Sequence, residues 1–406
     1  MPDGSDSSRD FRFPRVSVEA GLIVFIALLL SIFGLVIQTS AGQYHTPGSP
    51  LRTFFMQAFF LVPALAAGVV AAKINLDRLR RFAPWIFAGT LLLLLSIYVP
   101  GLGKVVNGSR RWIGLGVVNL QVSDPAKIAL VFVLAHYLTQ ARRHFGRPKF
   151  RWFERPRPWL VRVTREARED FLRGFVFPGL IIGGVCGLVA LEPDLGTMAL
   201  CAAVGGIMLF LAGGRLRYIV PAGVLGISAF SLLIWQWPNR FARVLSFIDP
   251  EKYKEDLGYQ LWQALTGFAS GGLFGEGLGD GMIYRGFLPE AHTDCVFAVV
   301  GEELGFCGTV MIPVALLLFF GLVVSRLREI ADVFYFNVCL GSMLFVMLQA
   351  TINMLVNLGM LPTKGMSLPF ISYGGSNLVV MFTFVGLIYN SVMNWRKAYL
   401  PRPAEF

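Results

Sequence analysis

Ten apolar runs, each close to the length of a bilayer crossing, constrain this chain more than anything else in it. A hydrocarbon core about 30 Å thick takes roughly 20 apolar residues per helix. Runs of that length lie near residues 18–39, 53–72, 82–100, 124–140, 174–191, 196–213, 217–236, 295–325, 332–357 and 375–394. The expected fold is an all-α polytopic membrane protein of about ten transmembrane helices. Composition agrees: of 406 residues, 55% are hydrophobic and 15% charged, which is not the balance of a soluble domain.

The net charge of +11 could suggest nucleic acid, but its placement argues for a membrane instead. Lys73, Arg78, Arg80 and Arg81 follow the second run, and eleven lysines and arginines fill the fourth connection from Arg142 to Arg173. Arg215 and Arg217 follow the sixth run, Arg326 and Arg328 the eighth, and Arg396 and Lys397 the tenth. Every even-numbered exit is basic, so both termini are expected in the cytoplasm. The polar start from Met1 to Arg15, with three arginines and three aspartates, has no apolar core and is not expected to be a cleavable signal. The domain plan is therefore a cytoplasmic segment 1–17, a transmembrane domain 18–396 and a cytoplasmic tail 397–406. A long extracytoplasmic loop spans 237–294. The basic fourth connection is either a surface helix on anionic lipid or a solvated loop.

The five cysteines lie in or beside apolar runs and form no CxxC pair, which suits small buried hydrophobes. The four histidines show no metal-ligand spacing. Polar residues concentrate instead in the odd-numbered connections, on the side that should lack positive charge. Asn107 to Ile113 sets Arg110 and Arg111 beside Trp112. An arginine fork suits phosphate and an indole can stack on a sugar, although an aromatic belt at a lipid interface reads the same way. Asp124 and Lys127 share one face at the start of the fourth run, behind Pro125 at a helix start. They form either a structural ion pair or a cation that also meets an anionic substrate. Glu192 to Thr197 makes a tight turn with two acids, Glu192 and Asp194, best read as structural.

The stretch Leu288 to Asp294, leading into Gly301, Glu302 and Glu303, places carboxylates and His292 at the mouth of the eighth run. Ionised groups at that depth are expensive and mark functional sites, while acids also suit helix starts. Leu358 to Ser376 mixes prolines, glycines and Lys364 with apolar residues, which fits a re-entrant segment packed on protein.

Taken together these stretches resemble the SEDS family (shape, elongation, division, sporulation) of peptidoglycan glycosyltransferases. The matching parts are Asn107–Ile113, Glu192–Thr197, Arg243–Pro250, Gly271–Gly279, Pro289–Asp294 with Gly301–Gly305, and Leu361–Ser376. Pro362–Gly365 and Ile371–Gly375 look more like the division branch (FtsW-like) than the elongation branch (RodA-like). Two places depart from the pattern: Asp124 stands where the family commonly has Glu, and Phe54–Gln57 replaces a Lys-Arg-Gln run.

The resemblance implies ten spans and polymerisation of lipid II outside the cytoplasmic membrane, with an essential aspartate that maps onto Asp294. Arg111, Trp112, Lys127 and Lys364 match positions in the cavity. Asp124, His292, Ser372 and Ser376, in or beside the matching stretches, complete the candidate substrate-binding set. In the implied reaction a sugar hydroxyl attacks the anomeric carbon of a second lipid-linked disaccharide, with inversion and Asp294 as general base. Arg111, Lys127, Lys364 or a divalent cation, Mg or Mn, would offset the charge of the departing diphosphate. No organic cofactor is expected. The alternatives are a lipid II flippase and a non-catalytic division scaffold. Expected partners are lipid II, a class B penicillin-binding protein transpeptidase, other divisome proteins and membrane lipid, with no nucleic acid. The expected location is the bacterial inner membrane at the division septum. The small residues of Cys339–Met343 are a candidate contact for the transpeptidase.

Overall fold

The computed structural model describes residues 16–45, 52–99, 102–106, 109–115, 118–141, 171–256, 258–282 and 288–399. The polar start before Val16, most of the arginine-rich fourth connection and the tail beyond Tyr399 lie outside the described residues.

The chain is a helical bundle: α1 (Val16–His45), α2 (Arg52–Lys73), α3 (Leu76–Ser96), α4 (Ser123–Ala141), α5 (Phe177–Leu191), α6 (Leu195–Leu211), α7 (Leu216–Trp235), α8 (Pro238–Ile248), α9 (Tyr259–Gly271), α10 (Val296–Leu327), α11 (Val333–Asn357) and α12 (Gly375–Tyr399). A π-helical turn, Leu172–Val176, runs into α5. Among the described residues seven helices are long and apolar enough to cross a membrane. They begin at Val18, Arg52, Leu76, Leu172, Val296, Val333 and Gly375, and shorter apolar helices cover Leu195–Leu211 and Leu216–Leu232. Every expected span has a helix over it. Apolar residues that face lipid, such as Phe25, Val62, Leu92 and Leu225, are exposed.

Two elements depart from the expected loops. The third connection folds as an antiparallel sheet, β1 (Gly103–Val106), β2 (Ser109–Leu115) and β3 (Val118–Gln121), in the order β1-β2-β3. Trp112 pairs with Lys104 on one side and Gln121 on the other. The long connection after α7 holds two helices, α8 and α9.

From α9 the chain turns at Gly271 and docks against an interruption in α10. Gly305 breaks that helix at φ 63° and ψ −160°, a conformation that a β-carbon disfavours. The break frees backbone groups, and the 272–277 segment takes them up. Phe306 and Cys307 amides donate to the carbonyls of Gly272 (2.9 Å) and Leu273 (3.1 Å), while Glu276 and Gly277 amides donate to those of Glu302 and Glu303 at 3.0 Å each. Non-helical backbone at membrane depth survives only when its polar groups are met by protein in this way. The Glu302 carboxylate accepts from the Met282 amide at 2.6 Å, and Glu303 accepts from Ser40 and from the Gly279 amide. These two acids clasp the glycine-rich loop.

The middle of the bundle is α4, α11 and α12. Gly386 of α12 crosses Gly68 of α2 so closely that a β-carbon on Gly386 would strike the α2 backbone. Asn390 then ends α2 by donating to the carbonyls of Ala71 (2.8 Å) and Ile74 (2.7 Å). Gly341 corrects the expected partner contact. It faces Met208 of α6 and Val131 of α4, and Cys339, Ser342 and Met343 are buried with it. These small residues serve packing inside the bundle, not a lipid-facing surface.

Candidate functional site

Asp294 lies on the turn entering α10. Glu290 there adopts a left-handed backbone at φ 54°, and its carbonyl gathers the amides of Thr293, Asp294 and Cys295 at 3.1, 3.2 and 3.2 Å. Thr293 Oγ1 donates to the Glu290 carboxylate at 2.8 Å, so Glu290 is a builder of the turn. Asp294 does not cap the helix, because the N-cap position is Cys295 and makes no side-chain cap bond. Its half-buried carboxylate rests over Gly365, where an added β-carbon would stand 2.9 Å from Oδ2. Burial pushes Asp294 up to about 7; Glu290 and Asp194 add to the rise and Arg111 opposes it.

A polar ladder on α11 fixes that position. Gln349, Asn353 and Asn357 are spaced four residues apart, so they stack on one helix face, and all three are buried. Asn353 and Asn357 each donate from Nδ2 to the Asp294 carbonyl at 2.9 Å. Asn353 also donates to the Met366 carbonyl at 2.6 Å, and Gln349 to the Ser367 carbonyl at 2.9 Å. One helix face thus ties Asp294 to the irregular segment before α12. Sequence reasoning missed this ladder, although amides at i, i+4 and i+8 inside an apolar run are a readable signal.

Arg111 of β2 reaches the α5–α6 turn. Its Nε and Nη2 donate to the carbonyls of Glu192 (3.1 Å) and Pro193 (2.8 Å), which leaves the rest of the guanidinium's five donors for a ligand. Asp194 is structural: it caps α6 through the Thr197 amide at 3.0 Å and accepts from Gln121 Nε2 at 3.0 Å. Trp112, next to Arg111, is half-buried within the sheet.

Asp124 and Lys127 are a buried ion pair at 2.8 Å, 1% and 4% exposed. Ser376 Oγ donates to the other Asp124 oxygen at 2.6 Å, and Lys127 donates to Gln349 Oε1 at 3.3 Å. The structure therefore joins Asp124, Lys127 and Ser376 to the amide ladder. Ser372 accepts from the Leu368 amide at 2.7 Å and shapes the segment below Asp294. The His292 carbonyl accepts from Gln38 Nε2 (2.7 Å) and the Tyr373 amide (2.9 Å), and its ring lies 5.7 Å from that of Tyr373. Lys364 Nζ sits 4.7 Å above the Phe230 ring. Burial lowers its pKa against the pull of Asp194.

Asp294, Arg111, Asp194 and Lys364 thus share one electrostatic neighbourhood. A base poised near neutrality beside cations can take a proton from a hydroxyl while anionic charge develops nearby. Among the described residues no group of three or more His, Cys, Asp or Glu could hold a metal ion.

Residues 20–397 match the FtsW/RodA/SpoVE family model, described as "Cell cycle protein". A protein of Thioalkalivibrio sp. (strain K90mix), named "Probable peptidoglycan glycosyltransferase FtsW", is 35% identical over 100% of this chain and 96% of its own length. One of the same name from Thioalkalivibrio sulfidiphilus (strain HL-EbGR7) is 38% identical over 91% and 88%. A solved structure reported as "Structural coordination of polymerization and crosslinking by a peptidoglycan synthase complex" superposes with a TM-score of 0.69 at 25% identity. That superposition covers 93% of this chain and 98% of the other.

Proposed function

The chain belongs to the FtsW/RodA/SpoVE family and is a peptidoglycan glycosyltransferase of its FtsW-like division branch; from that premise we propose how it works. It joins lipid II units at the outer face of the bacterial cytoplasmic membrane, with ten spans and both termini inside. Asp294 takes the proton from the acceptor sugar hydroxyl as that oxygen attacks the anomeric carbon of the donor. The bond from that carbon to the diphosphate breaks, and polyprenyl diphosphate leaves with the electron pair. Single displacement on an axial donor gives an inverted, β-linked product, so Asp294 acts as base and never as nucleophile.

Arg111 meets the diphosphate with its remaining donors, and Lys364 adds a second cation from the facing segment. Trp112 offers a sugar platform beside Arg111. Asp124, Lys127 and Ser376 act one layer back, by fixing the ladder that holds Asp294. His292 and Ser372 shape the floor. A divalent ion, if the reaction uses one, would be held mainly by the substrate's own phosphates, as Mg commonly is, and no step above runs through it. The protein works at the septum with a class B transpeptidase, in line with the synthase complex it superposes on.

The observation that carries this reading is the half-buried Asp294 carboxylate, set over Gly365 with its backbone carbonyl held by Asn353 and Asn357. Burial raises it to about 7, and Arg111 opposes the rise. A base must be ionised, so kcat/KM for lipid II should fall about tenfold per unit below pH 7. A rising limb near the ordinary carboxylate range, about 4, would contradict it.

A further inference from the structure

The α5–α6 turn holds a side chain that the mechanism above leaves unused. Glu192 is completely buried, and among the described residues neither of its carboxyl oxygens has a hydrogen-bond partner. Its own carbonyl is one of the two anchors of Arg111. No carboxylate meets the Arg111 guanidinium in an ion pair among the described residues; both of its anchors are neutral backbone oxygens. A charged Glu192 would therefore offer Arg111 a carboxylate in competition with a ligand.

We propose that Glu192 is a positioning residue held as a neutral carboxylic acid, whose ionisation would turn Arg111 away from the diphosphate of the substrate. This rests on the reading of Arg111 as the diphosphate contact. The surroundings favour the neutral form. An ionised carboxylate without donors is very costly when buried. Two further acids reach the same turn, Asp194 from the N-cap of α6 and Asp124 from α4, with Arg111 from β2 opposing them. Tyr98, after α3, is also in range. Both acids are already committed, Asp194 to Thr197 and Gln121, Asp124 to Lys127 and Ser376. Neither can move to shelter a third charge. Burial first, then Asp194 and Asp124, push Glu192 up to about 8, with Arg111 pulling down. Among the described residues the cation that acts on Glu192 is Arg111.

The test is the alkaline limb of lipid II polymerisation by the purified full-length protein. Wild type should lose about tenfold in kcat/KM between pH 7.5 and pH 9, carried by KM, as one group titrates near 8. In Glu192→Gln the amide cannot ionise, and the ratio between those two pH values should fall to near one. A limb that persists unchanged in Glu192→Gln overturns the proposal and passes the titration to another group such as Lys364. A folded Glu192→Gln protein without activity at any pH overturns it too, since the charge would then be required.

Should that variant not fold, the infrared carbonyl stretch of a protonated carboxyl in Asp294→Asn protein decides. It should be present at pH 7 and vanish as pH rises through about 8, and its absence at pH 7 overturns the proposal. The rising limb near pH 7 belongs to Asp294 and should survive in Glu192→Gln. A wild type without that rising limb, whose alkaline limb still disappears in Glu192→Gln, would count against the base assignment and leave Glu192 standing. Loss of the rising limb in Glu192→Gln would overturn the proposal.

Discussion

Replacing Lys127 with methionine tests whether the buried pair of α4 is structural. The substitution keeps length and apolar volume and removes the ammonium 2.8 Å from Asp124. Asp124 is 1% exposed, so water cannot take the place of the lost cation. Breaking a buried pair from one side costs about 3–5 kcal/mol, because the other charge stays uncompensated. Asp124 retains the 2.6 Å hydrogen bond from Ser376, and a bond to a charged group is worth about 1.5–3 kcal/mol. The lower end, about 3 kcal/mol, is therefore expected. Lys127→Met should melt well below wild type in detergent at pH 7. The double variant Asp124→Asn, Lys127→Met should recover most of the loss, since an amide still accepts from Ser376 and needs no counter-ion. Single and double variants that melt alike, or a single variant as stable as wild type, would show that the pair is not a structural one. Activity that stays lost when stability returns would move Lys127 to the substrate.

Asn353→Leu removes the two hydrogen bonds donated to the Asp294 and Met366 carbonyls and the 3.4 Å one accepted from Asn357, while Asn357 still holds Asp294. It should cost about 1–3 kcal/mol in thermal stability and lower kcat more than it raises KM. Gly365→Val places a side chain against Asp294 Oδ2 at an exposed position. Expression should hold while kcat drops about 10²-fold, the scale of a misplaced catalytic group. Gly341→Leu drives a side chain into Met208 and Val131. It should lower thermal stability of the isolated protein by about 1–3 kcal/mol, where a lipid-facing position would show no change.

The spans were legible because lipid allows few alternatives: every apolar run near 20 residues became a helix, and α11 and α12 match their expected limits at one end or both. The irregular stretch before α12 was legible from its prolines and glycines, and Leu368, Phe370 and Ile371 are buried against protein as a re-entrant segment requires. The sheet was not foreseen, since its strands of four, seven and four residues are too short for alternation to stand out. Asn107-Gly108, a strong hairpin dipeptide, was the available signal. Asp294 stood out because an acid at a membrane mouth is rare. The ladder that holds it did not, because amides inside a helix look like minor polar interruptions until their partners are known. Gly341 misled for a related reason: small residues let helices approach, but the sequence does not say which neighbour they approach.

Asp294→Asn isolates the role of Asp294 as the base. The amide keeps the size of the side chain, and the Asp294 backbone carbonyl stays held by Asn353 and Asn357. Purified variant and wild type, matched for melting temperature, are given lipid II and followed by product length. Polymerisation should fall about 10²–10⁴-fold, the usual contribution of a general base, with lipid II binding retained. Near-normal glycan synthesis by well-folded Asp294→Asn protein would contradict it.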